Sequence, residues 1–227
     1  MSSTLFSYKF VLKENVMNIT KTIMALLVGI SMLVISGVPA TAQSYTEGNH
    51  YVKLQNPIRM KDPNSIEVRL FCAYPSGHCA QIFTKIETWM RSQQDDVKLV
   101  MTPVTYNKAV WTLHARAFYT AEALRIGDRF HRKMYGLTTN QMKRITTKGH
   151  FESYITGLGI DQQSFHKTWK SFGINSQVKR ATALTRTAKV SSIPAIIVDG
   201  KYRINSRSAD SLDKMLKVAD FLIKKAR

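Results

Sequence analysis

The stretch Phe71-Cys72-Ala73-Tyr74-Pro75-Ser76-Gly77-His78-Cys79 carries the residue types of a redox centre. A dithiol centre works with Cys-x-x-Cys at a helix start, where the first thiolate attacks and the second thiol resolves. Here the same span reads Ser76-Gly77-His78-Cys79, with one oxygen in place of one sulfur. A serine hydroxyl is a far weaker nucleophile toward disulfides and cannot form a mixed disulfide, so a dithiol cycle cannot run through this motif. Cys72 and Cys79 are the chain's two cysteines, and they stand seven apart, a spacing of neither a redox pair nor a common metal motif. Cys72 reads as a strand end and Cys79 as the first turn of the next helix. Side chains so placed are expected to point apart, and a bridge needs Cα atoms within about 7 Å. Two unpaired thiols are therefore expected, Cys72 as a small core hydrophobe and Cys79 as a shielded thiol.

The elements that must position this site follow from apolar periodicity. Val68 to Tyr74 and Val97 to Met101 read as buried strands. Between them Ile82, Phe83, Ile86, Trp89 and Met90 form one stripe on a helix from about Gly77 to Ser92. A strand, a crossover helix and a strand make a βαβ unit with parallel strands. From about Lys108 to Lys189 no strand is evident. Trp111, Ala115, Phe118, Ala121 and Leu124 mark one helix, and Phe151, Tyr154, Ile155 and Leu158 mark another that ends at Gly157-Leu158-Gly159. Asp161 is placed to cap a third, which carries Phe165, Trp169 and Phe172. Strand signals return at Ala195 to Val198 and Lys201 to Ile204, joined by the hairpin dipeptide Asp199-Gly200. A final helix, about Ala209 to Lys225, presents Leu212, Met215, Leu216, Ala219 and Leu222. The order βαβ, helices, ββα predicts an α/β fold with an inserted helical domain.

Residues 1–42 read as an export signal: Lys21 leads an uncharged apolar run from Ile23 to Ile35, and Ala40-Thr41-Ala42 offers a signal-peptidase site. The run is shorter than the roughly 20 residues a spanning helix needs. Met17 is an alternative start. The mature chain is expected to begin near Gln43, long enough for one substantial core. Of the net charge of +18, nearly all stays with the mature part, because the leader carries only Lys9, Lys13 and Lys21 against Glu14. A surface this basic attracts polyanions, acidic protein and anionic lipid included. No basic run is interleaved with aromatics as a base-stacking platform would be, so no specific nucleic-acid partner is expected. There is no metal constellation and no nucleotide loop, so no cofactor and no metal ligand are expected.

These residues resemble a known family, the DsbA-like thiol:disulfide oxidoreductases, with a thioredoxin fold and an inserted helical domain. The resemblance runs through Val68 to Cys79 without a gap. It continues in Tyr45-x-x-Gly48-x-x-Tyr51, in Trp169-x-Ser171-Phe172, and in Ile193-Pro194-Ala195-x-x-Val198-x-Gly200-Lys201-Tyr202. It implies domains at 43–107 plus 190–227 (thioredoxin-like) and 108–189 (helical). It puts Ser76 at the family's nucleophile, His78 at the histidine that tunes it, Cys79 at the resolving cysteine, and Gly77 where proline is frequent. It makes Ile193 and Pro194 the cis-proline loop that pairs with extended substrate, and Tyr74 and Pro75 the lip of that groove. It also puts Leu70 and Met101 where the family keeps a buried glutamate and lysine, so an acid and a base beside the site have both become apolar.

The expected function is therefore an exported, periplasmic protein that binds extended or unfolded polypeptide, or one dedicated partner, without dithiol oxidase turnover. Two other readings stay open. Cys79 alone could act as a monothiol oxidoreductase or isomerase with a second thiol from a partner. Ser76 could stabilise a glutathione thiolate as in kappa-type transferases, although Pro75-Ser76-Gly77-His78-Cys79 does not match their signature. A weak contact with a polyanion or an anionic surface is the remaining partner expectation.

Overall fold

The computed structural model describes residues 44–60 and 62–227; the leader read over 1–42 and the alternative start at Met17 lie outside them. Its centre is strand β2 (Ile66–Cys72), every residue of which is buried. β3 (Val97–Pro103) lies parallel to it, with Leu70 opposite Met101 and Cys72 opposite Pro103. β4 (Ala195–Val198) runs antiparallel on the other side of β2, and β5 (Tyr202–Asn205) antiparallel to β4. A two-residue strand, β1 (Val52–Lys53), completes the order β1-β5-β4-β2-β3.

β1 is too short for a period to register in sequence. It belongs to the Tyr45–Tyr51 arm, whose two tyrosines are buried, with ring centroids 5.6 and 6.3 Å from that of Phe221. The Asp199-Gly200 hairpin forms with φ values of 54° and 61°, the paired left-handed conformation that a two-residue turn between twisted strands requires.

Helix α1 (Gly77–Met90) leaves the end of β2 and buries Cys79, Ile82, Phe83 and Ile86. α8 (Leu212–Ala226) packs beside it, tied by Trp89 Nε1 donating to Asp220 at 2.9 Å and by the Lys85–Asp213 pair at 2.7 Å. Val68, Leu70 and Cys72 share the core that these two helices cover. The alternate residue Phe71 faces a second, smaller cluster with Leu54, Val104, Ala188 and Ile197.

Between β3 and β4 the described chain is helical: α2 (Ala109–Ala123), α3 (Gly127–Tyr135), α4 (Thr139–Lys143), α5 (Lys148–Thr156), α6 (Gln162–Trp169) and α7 (Phe172–Thr187). Asp161 caps α6 as the sequence predicts, accepting from Ser164 N at 2.8 Å. α3, α4 and α7 are additions to the sequence reading. α3 carries four charged residues among its nine yet buries Phe130, His131, Met134 and Tyr135. α7 buries Ile174, Val178, Ala181 and Thr185, a stripe whose alanine and threonine blur the hydropathy signal. Phe172, grouped by sequence with the preceding helix, instead opens α7 and is 84% exposed.

Candidate functional site

The site lies where the C-terminal ends of β2 and β3 meet the start of α1. Ser76 is the N-cap of α1, in extended conformation, and its Oγ accepts from Cys79 N at 3.3 Å. The hydroxyl thus satisfies one of the orphan amides of the first helical turn. Gly77 and His78 are exposed, and Pro75 and Ser76 are half-buried. A Cβ at Gly77 would meet nothing within 4 Å, so the backbone does not demand glycine there.

The two cysteines correct the sequence expectation. Cys72 and Cys79 are joined in a disulfide, with Cα atoms 5.6 Å apart and no free cysteine in the chain. The side chains do not point apart, for a reason already present in the pattern. Strand alternation sets Cys72 on the same face as Val68 and Leu70, the face that α1 covers. Cys79 is the first member of α1's buried stripe. The turn between them, closed by Ser76 N donating to Ala73 O at 3.1 Å, brings both sulfurs into one layer. Cys72 is 2% and Cys79 0% exposed, so the bond is buried.

Tyr74 is a second correction. It is no groove lip: it is buried, and its hydroxyl meets His131 Nδ1 at 2.6 Å. His131 Nε2 in turn meets Glu122 Oε1 at 2.7 Å. Burial drives the Tyr74 phenol well above its ordinary pKa, reinforced by Tyr135 and Glu122 nearby, so the hydroxyl stays protonated. Pro75 remains at the partly open rim.

Ile193 and Pro194 come to the same end of the sheet. β4 pairs Ala195 with Phe71, and that register continued by one residue sets Pro194 across from Cys72. The Ile193–Pro194 peptide is cis. Ile193 is half-buried, and the backbone groups of Ser192 and Ile193 make no hydrogen bond among the described residues.

Two polar constellations near the site escaped the sequence reading. On the opposite face of β2, buried Arg69 donates to Glu67 at 2.7 Å and to Thr102 at 2.8 Å. The signal was there, a charged i, i+2 pair inside an otherwise apolar strand. The second is His114, 2% exposed, whose Nε2 bonds Ile145 O at 2.8 Å while Nδ1 has no partner. Burial holds its pKa below the ordinary histidine value, partly offset by the Ile145 bond. Leu70 is fully buried and Met101 half-buried, side by side in register, so the strand pair next to the site holds no acid or base there.

The DSBA-like thioredoxin domain family matches residues 106–218. The thiol:disulfide interchange protein DsbA of Pseudomonas aeruginosa is 30% identical over 198 residues, which covers 87% of this chain and 93% of that relative. The chain belongs to the DsbA-like family. A second DsbA, from Bordetella parapertussis, is 31% identical over 83% of this chain and 90% of its own length. The crystal structure of the Pseudomonas aeruginosa DsbA superposes with a TM-score of 0.75 at 31% identity, covering 82% of this chain and 96% of that one. The DsbA-like fold, a mixed sheet flanked by helices, is thus this protein's fold. Within it, Ser76 caps α1 and the one cystine is closed over, so no thiolate is available at the surface.

Proposed function

We propose that this DsbA-like protein binds extended or unfolded polypeptide, or a dedicated partner, and does not turn over as a dithiol oxidase through Ser76-Gly77-His78-Cys79. The observation that carries this reading is the state of the motif. Ser76 spends its oxygen on the helix cap, and the Cys79 sulfur is bonded to Cys72 and shielded from solvent. Thiol exchange begins with an accessible thiolate, or with an accessible disulfide for one to attack. Neither is present. What the site offers is a half-buried Ile193 with unpaired backbone groups beside it, a place where an extended chain can add main-chain hydrogen bonds. Pro75, Gly77 and His78 would form the facing rim, and Pro194 would hold the loop.

In this reading residues 43–107 and 190–227 form the thioredoxin-like part and 108–189 the helical insertion. The protein acts in the periplasm after removal of 1–42. No helix among the described residues is long and apolar enough to cross a membrane. A monothiol route through Cys79 would first require reduction of the bond to Cys72.

The test is oxidation of a reduced protein and reduction of a disulfide by the full chain, beside Ser76→Cys combined with Cys72→Ala. The double variant frees Cys79 and restores two cysteines at the redox spacing. The natural protein is expected to be silent and the variant to turn over. Turnover by the natural protein that disappears in Cys79→Ala would replace this reading with the monothiol one.

A further inference from the structure

We infer that a polar pocket beside the Ile193 loop takes a carboxylate of the bound polypeptide. This deepens the peptide-binding reading and rests on it for the identity of the occupant. The pocket, about 330 Å³, lies between the turn after β3 and the C-terminal end of α7. One wall is Thr105, Tyr106 and Asn107; the other is Thr182, Thr185 and Arg186. Lys189, Val190 and Ser191 complete the lining, and Ser191 leads into the loop that carries Ile193. The pocket therefore adjoins, through Ser191, the backbone groups proposed to hold the chain.

Its chemistry is one-sided. Arg186 and Lys189 are cations and no carboxylate lines the pocket. Arg186 makes no ion pair or side-chain hydrogen bond among the described residues, and the Lys189 ammonium bonds only the neutral Gln55 side chain, at 3.1 Å. Hydroxyls supply most of the remaining polar lining. Thr182 and Thr185 donate to the carbonyls of Val178 and Ala181, and Thr105 and Thr182 meet at 3.1 Å, so these hydroxyls hold one another and the walls in place. The Tyr106 hydroxyl is buried with no partner among the described residues.

The walls are also conformationally committed. Tyr106 and Asn107 have φ of 43° and 55°, whereas the φ of 50° at Lys189 belongs to the left-handed turn that closes α7, with Lys189 N donating to Arg186 O at 2.9 Å and Val190 N to Thr185 O at 3.0 Å. Side-chain-bearing residues in the left-handed region cost free energy and persist where the surroundings fix them, often at ligand clamps. A guanidinium and an ammonium without anionic partners match the acceptor oxygens of a carboxylate. Such a partner also agrees with a chain of net charge +18.

The experiment measures fluorescence anisotropy of labelled, otherwise uncharged extended peptides on the full-length protein. One peptide has an internal Glu, one a free C-terminal carboxylate, and one is amidated and uncharged. One or both acidic peptides should bind about tenfold tighter than the uncharged one, and which of them does identifies the source of the carboxylate. Arg186→Ala with Lys189→Ala should erase that preference and leave binding of the uncharged peptide unchanged. Equal affinities in the natural protein, or a preference that survives the double variant, would overturn the inference. In parallel, N-acetylglutamate amide is titrated while the backbone amide resonances of residues 105–107 and 185–191 are followed. Shifts lost in the double variant support the pocket even if no peptide binds, in which case the peptide-binding reading falls and the pocket stands. Unmoved resonances refute the pocket on their own.

Discussion

At the scale of single residues, Ser76 puts an oxygen where a Cys-x-x-Cys span has its first sulfur, and the sulfur that the span keeps is bonded to Cys72. Cys79 stands where a resolving thiol would, but Cys72 at the strand end has taken it into a short loop, sequence separation 7. Such a bond stabilises chiefly by restricting the unfolded chain, and a loop this short is worth about 2–3 kcal/mol. Cys72→Ala with Cys79→Ala is therefore expected to lower the unfolding free energy by about that amount in urea titrations without reductant. Dithiothreitol should lower the natural protein toward the variant and leave the variant unmoved. Equal stabilities without reductant would mean that the bond adds nothing. The adjacent Tyr74 shows the same shift of duty: a residue read as an exposed recognition lip is instead the buried end of a Tyr74–His131–Glu122 hydrogen-bonded chain.

At the scale of elements, the site depends on turns that return a strand end to its own layer. The clearest is the Asp199-Gly200 hairpin between β4 and β5, which sets Val198 opposite Tyr202 and Ala195 opposite Asn205 on one edge of β4, while the other edge lies on β2. Gly200 is at φ +61°, and a Cβ there would lie 2.1 Å from Ile58 O, whose residue also donates its amide to Gly200 O at 2.8 Å. Backbone, not a movable side chain, blocks that space. Gly200→Ala should therefore destabilise by about 2 kcal/mol or more, adding left-handed strain to a forced displacement of the 54–58 segment. Chemical denaturation reads the loss. Hydrogen exchange should show it concentrated in β4, β5 and the Ile58 amide.

At the scale of the whole molecule, one buried base couples the helical layer to pH. His114 reaches Ile145 O across two elements, and its burial favours the neutral ring. The unfolded ring takes its proton near pH 6.5, the folded ring only at lower pH. The unfolded state then binds more protons as pH falls below about 6.5, so this stabilisation is full above that value and is lost as pH drops through the lowered folded pKa. Urea midpoints are expected to fall between pH 7.5 and about 5.5. His114→Gln, which keeps a donor for Ile145 O but does not titrate, should flatten that slope. An unchanged slope would remove His114 from the account.

The sequence by itself determined the order βαβ, helices, ββα, the Ser76-Gly77-His78-Cys79 segment with serine in its first place, and the hairpin at Asp199-Gly200. Each is written locally, in a period, a turn dipeptide or a residue type at fixed spacing. Only the tertiary structure decided the Cys72–Cys79 bond, the burial of Tyr74, the Arg69–Glu67–Thr102 network and the cationic pocket at Arg186 and Lys189. α3 and α7 belong with them, since their buried faces mix polar with apolar residues. These features arise where chain segments far apart in sequence, or two faces of one turn, are brought within a few ångströms, and periodicity along a single element carries no distance between elements.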